Sequence, residues 1–502
     1  MNQPLAARAV AAIALVLAAA AHAADDAAMQ RMQQQIDELK AANERQAGEI
    51  KDLKEQQGDK WLSEARATQI RGVVADVLAD SQSRASLQSA DATAGYDRNF
   101  FIASADGNFR LNIEGQMQAR FAFNTVPASS LPPASRDRTN LRNEYGFEFR
   151  RIRMNFFGHV FDPSWTYRIQ WAYERDGENS GRPLAFEDAF IQKALGGGWY
   201  VRAGQWKNFL NYEEIASSRT QQFVERSAVN QYFSTQFVQG AMLGWESEQY
   251  RVYAAYIDGG ANRNIGVISN TGNATQWAFD GRVEWKLAGA WGQFRDMQGW
   301  HGSDFAVMLG AAANVQRAGG NPPPGRVTVG NGNLPNLTGM GTVNDQVSLV
   351  TYTADANVRG DGWSGWAAFL GNSVYDGGRI ARSVRVEGTN SYGVVVQGGV
   401  FLTNAVELIA RYEGLWVDSD NDNPTIANPL VAQSLNIVTL GVNWYFHQNA
   451  VKLTLDGGWA MNPVRFNQGL YGQSLGGADW RASQTGKGVG ETVVRCQLQL
   501  LF

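Results

Sequence analysis

Eight basic residues in this chain could do chemistry together: Arg151, Arg153, Arg168, Arg202, Lys207, Arg219, Arg226 and Arg282. A guanidinium is planar, keeps its charge, and donates two parallel hydrogen bonds to a phosphate or carboxylate, so arginines gathered on one face draw in small anions. Their spacing makes them a set. Arg151, Arg153 and Asn155 alternate with Ile152, Met154 and Phe156, and Thr166, Arg168 and Gln170 alternate with Trp165, Tyr167, Ile169, Trp171 and Tyr173. This is the two-residue period of a strand, with one aromatic face and one polar, basic face. The adjacent Arg150 and Arg151 shift the parity by one after Phe147 and Phe149, as a β-bulge does, and Glu187-Asp188 breaks it again. Glu148, Glu174, Glu187, Asp188, Glu213 and Glu225 supply the opposite possibility, in which the arginines are neutralised and only hold a wall together.

Other chemistries find little footing. The four histidines, His22, His159, His301 and His447, have no metal-ligand spacing, and the single Cys496 lies on an apolar parity, so neither metal nor cofactor is expected. A lipase built on a Ser-His pair is a rival without a motif. A net charge of −4 speaks against nucleic acid as a partner.

The elements that must position these residues follow from the rest of the chain. Arg8, an apolar run over 9–20 and the small-residue pattern Ala21-His22-Ala23 predict a signal peptide over residues 1–23. Met29, Met32, Ile36, Leu39, Asn43, Gln46, Ile50 and Leu53 then fall at alternating three- and four-residue spacings, which predicts a coiled coil over 24–57 and hence a homo-oligomer. Residues 58–98 are expected to be a second helix and a linker, and 99–502 a β domain. There, about sixteen segments have the length a tilted strand needs to cross a membrane. They begin near residues 109, 145, 164, 184, 199, 238, 249, 276, 303, 346, 362, 391, 405, 434, 450 and 491.

Four of these segments show the same two faces most plainly. Phe279, Val283 and Trp285 oppose Asp280, Arg282 and Glu284; Val350, Tyr352 and Val358 oppose Thr351, Asp355 and Asn357; Leu440, Trp444 and Phe446 oppose Thr439 and Asn443. The last strand sets Val494, Cys496, Leu498, Leu500 and Phe502 against Arg495, Gln497 and Gln499. Short turns and long connections (124–144, 210–237, 314–345, 375–390, 418–433 and 463–489) would then sort to opposite rims. With 54 Gly and 16 Trp, this pattern predicts an all-β, antiparallel transmembrane barrel of about sixteen strands preceded by the coiled-coil segment. A soluble secreted β protein is the competing fold.

Arg150 to Arg153 followed by Phe157-Gly158-His159, then Glu187-Asp188-Ala189-Phe190, then the run from Val201 to Lys207, resemble the phosphate-selective porin O and P family. The resemblance is strongest over 145–233. It implies a trimer of sixteen-stranded barrels in the bacterial outer membrane, each with a pore narrowed by a loop folded into the lumen and lined by basic residues. The candidate loop is 210–237, with Arg219 and Arg226 on it and Lys207 at its entrance. Lysine is nearly confined to Lys193, Lys207, Lys286, Lys452 and Lys487 in this region, where phosphate-selective members carry a lysine cluster. The implied activity is therefore passive diffusion of small hydrophilic solutes with a mild preference for anions such as phosphate. The implied partners are outer-membrane lipid, two further copies, small anions and, through a periplasmic coiled coil, the cell wall. A barrel serving only as anchor for a tether or adhesin is the alternative.

Overall fold

The computed structural model of the chain describes residues 92–173, 184–259, 275–318, 347–375, 379–380, 384–385, 390–417, 433–464, 479–481 and 483–502. The expected signal peptide, coiled coil and second helix lie outside the described residues. In chain order the strands are β1 (Ala92–Asp97), β2 (Asn99–Ser104), β3 (Arg110–Thr125), β4 (Asn143–Val160), β5 (Asp162–Tyr173), β6 (Leu184–Gly196), β7 (Trp199–Lys207), β8 (Phe237–Glu246), β9 (Tyr250–Ile257), β10 (Thr275–Ala288), β11 (Ala306–Ala318), β12 (Val347–Gly360), β13 (Trp363–Tyr375), β14 (Arg379–Ile380), β15 (Val384–Arg385), β16 (Asn390–Phe401), β17 (Val406–Val417), β18 (Gln433–His447), β19 (Val451–Ala460) and β20 (Thr492–Leu501). Sixteen of them, β3–β13 and β16–β20, form one antiparallel ring. The ring closes where β20 pairs with β3, from Thr492 opposite Thr125 to Leu501 opposite Gln116. Closure satisfies every ladder without leaving an edge in lipid.

Alternation fixes which side chains face out. Phe147 is 85% exposed, and Phe279, Trp285, Leu440, Phe446 and Leu498 are exposed on the same outer face, whereas Arg282, Asn357, Thr439, Asn443 and Arg495 are buried inside. A slip of one residue would exchange the faces, and a single charge placed in mid-bilayer costs about 2–4 kcal/mol, so register is strongly held. Both expected bulges are present. Gln118 pairs with Arg151 and Ala119 with Phe149, leaving Arg150 as the extra residue. Gln170 pairs with Asp188 and Trp171 with Phe186, leaving Glu187 as the extra one.

The connections do sort by rim. One rim carries the termini of the ring and short links, such as the turn through Gly197 and Gly198 (φ +59° and +85°), whose left-handed backbone favours glycine. The opposite rim carries the long connections. Two features depart from the sequence expectation. Residues 92–97, expected as linker, form β1, which hairpins onto β2; β2 in turn pairs with β3 over residues 110–113, beyond the point where β20 ends. The segment 289–305 is a long connection on the short-turn rim. It folds inward, burying Phe294 and Met297, and the Met297 N–H donates to Thr220 O at 3.3 Å.

Candidate functional site

The segment between β7 and β8 forms two short helices, α1 (Tyr212–Ile215) and α2 (Ala228–Phe233). Asn211 caps α1 by accepting the Glu213 N–H, and the Ser227 hydroxyl oxygen caps α2 by accepting the Asn230 N–H at 2.9 Å. Nearly all of 208–235 is buried, because the segment turns into the barrel. It is pinned from many directions. Thr353 Oγ1 on β12 donates to Leu210 O at 2.6 Å, Gln222 Nε2 donates to Ser364 Oγ on β13 at 3.0 Å, and Gln397 Nε2 on β16 donates to Gln222 Oε1 at 2.8 Å. The Val224 N–H donates to Asp456 Oδ2 on β19 at 2.9 Å, Gln499 Nε2 on β20 to Arg219 O at 2.8 Å, and Gln118 Nε2 on β3 to Ser218 O at 3.2 Å.

The apolar side of the loop meets an apolar inner wall. Val229, Tyr232 and Phe233 share a buried cluster with Met308, Leu349, Trp366, Leu370, Val395, Leu415 and Ile437 from β11–β13 and β16–β18. Gly393 on β16 admits α2: a Cβ there would lie 2.6 Å from Val229 Cγ1 and 2.8 Å from Phe233 Cε2. Each large apolar side chain buried this way contributes about 1.5–3 kcal/mol. The purely polar interior expected from alternation is thus replaced, along this wall, by a packed core.

Charge locks the other side. Glu225 accepts Arg120 Nη1 at 2.7 Å, Arg150 Nε at 2.6 Å and Arg151 Nη2 at 2.9 Å. Burial alone would raise the Glu225 carboxyl, but Arg150, Arg151 and Arg120 overcome it and hold the group well below the usual carboxylate range. Arg120 also reaches Glu148 and, at 2.7 Å, Asp479. Arg411 on β17 donates to Glu225 O at 3.0 Å, with its guanidinium 4.6 Å from the Phe223 ring centre. Arg495 binds Asp456 Oδ1 at 2.6 Å.

The eight basic residues of the sequence analysis divide sharply here. Arg151 is tied to Glu225, Arg153 to Glu187 and the Ser218 hydroxyl, and Arg219 to Glu114. Arg226 lies 3.7 Å from Glu214 and donates to Glu213 O and Ala216 O at 3.0 and 2.9 Å, so it fastens the loop to itself. Arg282, 1% exposed, forks onto Asp355 at 2.8 and 3.1 Å and reaches Glu284 at 2.8 Å, inside the packing and away from water.

Three are different. Among the described residues, Arg168, Arg202 and Lys207 form no ion pair. Arg168 Nε donates to Asn155 Oδ1 at 3.1 Å, and Arg202 donates through Nε and Nη2 to Gln192 Oε1 at 3.0 and 2.7 Å. Lys207 Nζ lies 5.6 Å from the Phe237 ring centre, in the field of Arg226, Glu214, Arg153 and Glu187. Thr166, Arg168, Gln170, Phe190, Gln192, Tyr200 and Arg202 on β5–β7 all keep water-accessible surface. The inner residues of β16–β20 do not: Gln397, Glu407, Arg411, Glu413, Lys452, Asp456, Arg495 and Gln499 are buried beneath the loop.

Arg120, Arg150, Arg411 and Arg495 belong to this network although only the bulge at Arg150 marks any of them in the sequence as unusual.

The sequence pattern of the phosphate-selective porin O and P family matches residues 134–461. Among solved structures, the outer-membrane protein OmpT of Vibrio cholerae in its trimer form is similar over 78% of this chain and 99% of its own, at 11% identity and a TM-score of 0.48. The anion-selective porin of Comamonas acidovorans is similar over the same shares, also at 11% and 0.48. The outer-membrane channel DcaP of Acinetobacter baumannii matches over 78% and 97%, at 10% and 0.47. No curated protein matches the chain by sequence.

Proposed function

The chain belongs to the phosphate-selective porin O and P family, and from that premise we propose that its barrel passes small hydrophilic solutes across the outer membrane along the β5–β7 wall, with a mild preference for anions such as phosphate. The observation that carries this reading is the division of the interior into a covered wall and a wall that keeps water. On the covered wall each named arginine meets a carboxylate, so it contributes little net field to the lumen. On the wet wall Arg168 and Arg202 rest on neutral amides, and their charge is left to act on the solution.

An uncompensated positive charge beside low-dielectric walls raises the local anion concentration, and passage still requires each contact to be weak enough to release. Two or three such cations give a preference, not a filter. At 0.1 M salt the Debye length is about 10 Å, which limits their reach further. The heptad seam of residues 29–53 supports a homo-oligomer, which the family likeness makes a trimer, with its coiled coil in the periplasm within reach of the cell wall.

The test is single-channel recording of the detergent-extracted oligomer in a planar bilayer under a potassium chloride gradient. Conductance steps in threes with a reversal potential leaning to chloride are expected. A cation-leaning potential would overturn the anion preference, and a folded barrel without conductance would overturn the channel itself.

A further inference from the structure

The wet wall is not lined as a bare electrostatic funnel would be. Three partly exposed aromatic residues point inward beside the arginines: Phe157 on β4, Phe190 on β6 and Tyr200 on β7, the last two resting on a buried cluster that includes Trp206 and Met242. The two arginines of the wall each lie over one of them. The Arg202 guanidinium lies 4.1 Å from the Phe190 ring centre and 6.0 Å from that of Tyr200, and the Arg168 guanidinium lies 5.5 Å from that of Phe157. The positions are built. Gln192 and Asn155 hold the two guanidiniums by their Nε edges, and Tyr200 lies across Gly244, where a side chain would collide with its ring.

Register places the two arginines together. Arg168 pairs with Phe190, and Arg202 pairs with Gln192, so they stand on strands two ladder spacings apart, about 10 Å, and lie in each other's field. Among the described residues, Nη1 and Nη2 of Arg168 and Nη1 of Arg202 have no acceptor. Each guanidinium therefore keeps one free edge, which suits a carboxylate, and one face turned away from its ring.

We propose that Arg168, Arg202, Phe157, Phe190 and Tyr200 form a binding step for planar aromatic carboxylates, a substrate class that narrows the channel function above and depends on it. A guanidinium is weakly hydrated, and one already seated on a ring accepts a second ring on its free face at small desolvation cost. The carboxylate of such a solute meets a fork edge while its ring meets Phe190, Tyr200 or the guanidinium face. Inorganic phosphate is strongly hydrated and tetrahedral, and here it would find donors along edges only, amid aromatic carbon.

The experiment adds benzoate, acetate or inorganic phosphate to the open channel of the full-length oligomer and reads the concentration that halves potassium chloride conductance. Benzoate is expected to act at about fivefold lower concentration than acetate, as a ring contact of this kind provides. Phe190→Leu should bring the benzoate concentration up to that of acetate, and Arg168→Lys, which loses the fork, should raise the concentrations needed for both carboxylates. Equal potency of benzoate and acetate, or stronger action by phosphate, would overturn the proposal with the channel function intact. Absence of any chloride conductance would instead overturn the channel function on which it rests.

Discussion

Arg282 and Arg202 are the same residue type on inward-facing positions of β10 and β7, yet the fold uses them in opposite ways. Arg282 is surrounded by Asp355 and Glu284 and sealed from water; Arg202 lies on Phe190 and an amide, and keeps an edge in the lumen. The difference is made by the loop between β7 and β8. Where it packs, the interior becomes a protein core in which charge must be paired, and where it does not, charge can remain available. The inserted loop thus divides the ring of strands into a packed side and a side that keeps water.

Breaking the covered side should have the largest effect. Glu225→Gln leaves the buried Arg151 and the half-buried Arg150 around a neutral group while Arg120 keeps Glu148 and Asp479, and such a loss costs about 3–5 kcal/mol of loop seating, the range for a broken buried pair. The loop should become cleavable by trypsin at Arg219 or Arg226 in an otherwise intact barrel, and conductance should rise. Arg282→Met strands the Asp355 and Glu284 carboxylates together; a loss of about 3 kcal/mol is expected, read as a lower heat-modifiability temperature on electrophoresis. Gly393→Leu collides with Val229 and Phe233, and overpacking of this kind costs about 1–3 kcal/mol, again visible as loop proteolysis.

The wet side should respond in function alone. Arg202→Gln is expected to move the reversal potential toward cations and leave the heat-modifiability temperature unchanged, whereas Arg151→Ala should loosen the loop first. An Arg202 variant that melts early would erase the distinction between the two walls. The smallest effect is expected from mild acid. Burial would raise the Glu214 carboxyl, but Arg226 and Lys207 bring it down to about 2, and Glu225 is held lower still. Folded values below the unfolded carboxylate, about 4.3, mean that this stabilisation is fully present above that pH and is lost only as pH falls through the folded values. The part of the loop's trypsin resistance that rests on Glu214 and Glu225 should therefore stay constant from neutrality to about pH 5, a range that lies above the unfolded carboxylate value.

The strands were legible because lipid enforces alternation. All sixteen begin within three residues of the positions read from parity, and both bulges fall where it breaks. Partners were not legible. Parity tells that Arg151 points inward, but whether it meets Glu225 or water depends on a loop that returns 74 residues later, and Arg120 reaches Asp479 across 359. The inner apolar residues were also hidden: Leu370, Val395 and Leu415 read as interruptions of a polar face until the helix that covers them is in place. The inward 289–305 segment escaped for a related reason, since its buried Phe294 and Met297 carry no period.

The ring is sealed at Phe502. Phe502 exchanges two backbone hydrogen bonds with Gly115, at 2.6 and 3.2 Å, and its ring lies over that glycine; nearby, Gln118 on β3 donates to Gln499 on β20, 381 positions away. Contacts of such separation are slow to form because loop closure must come before any of them is gained. Closure of this seam is therefore expected to come late: until β20 docks, β3 keeps an unpaired edge, and a variant without the Phe502 contacts would spend longer in that open, aggregation-exposed form.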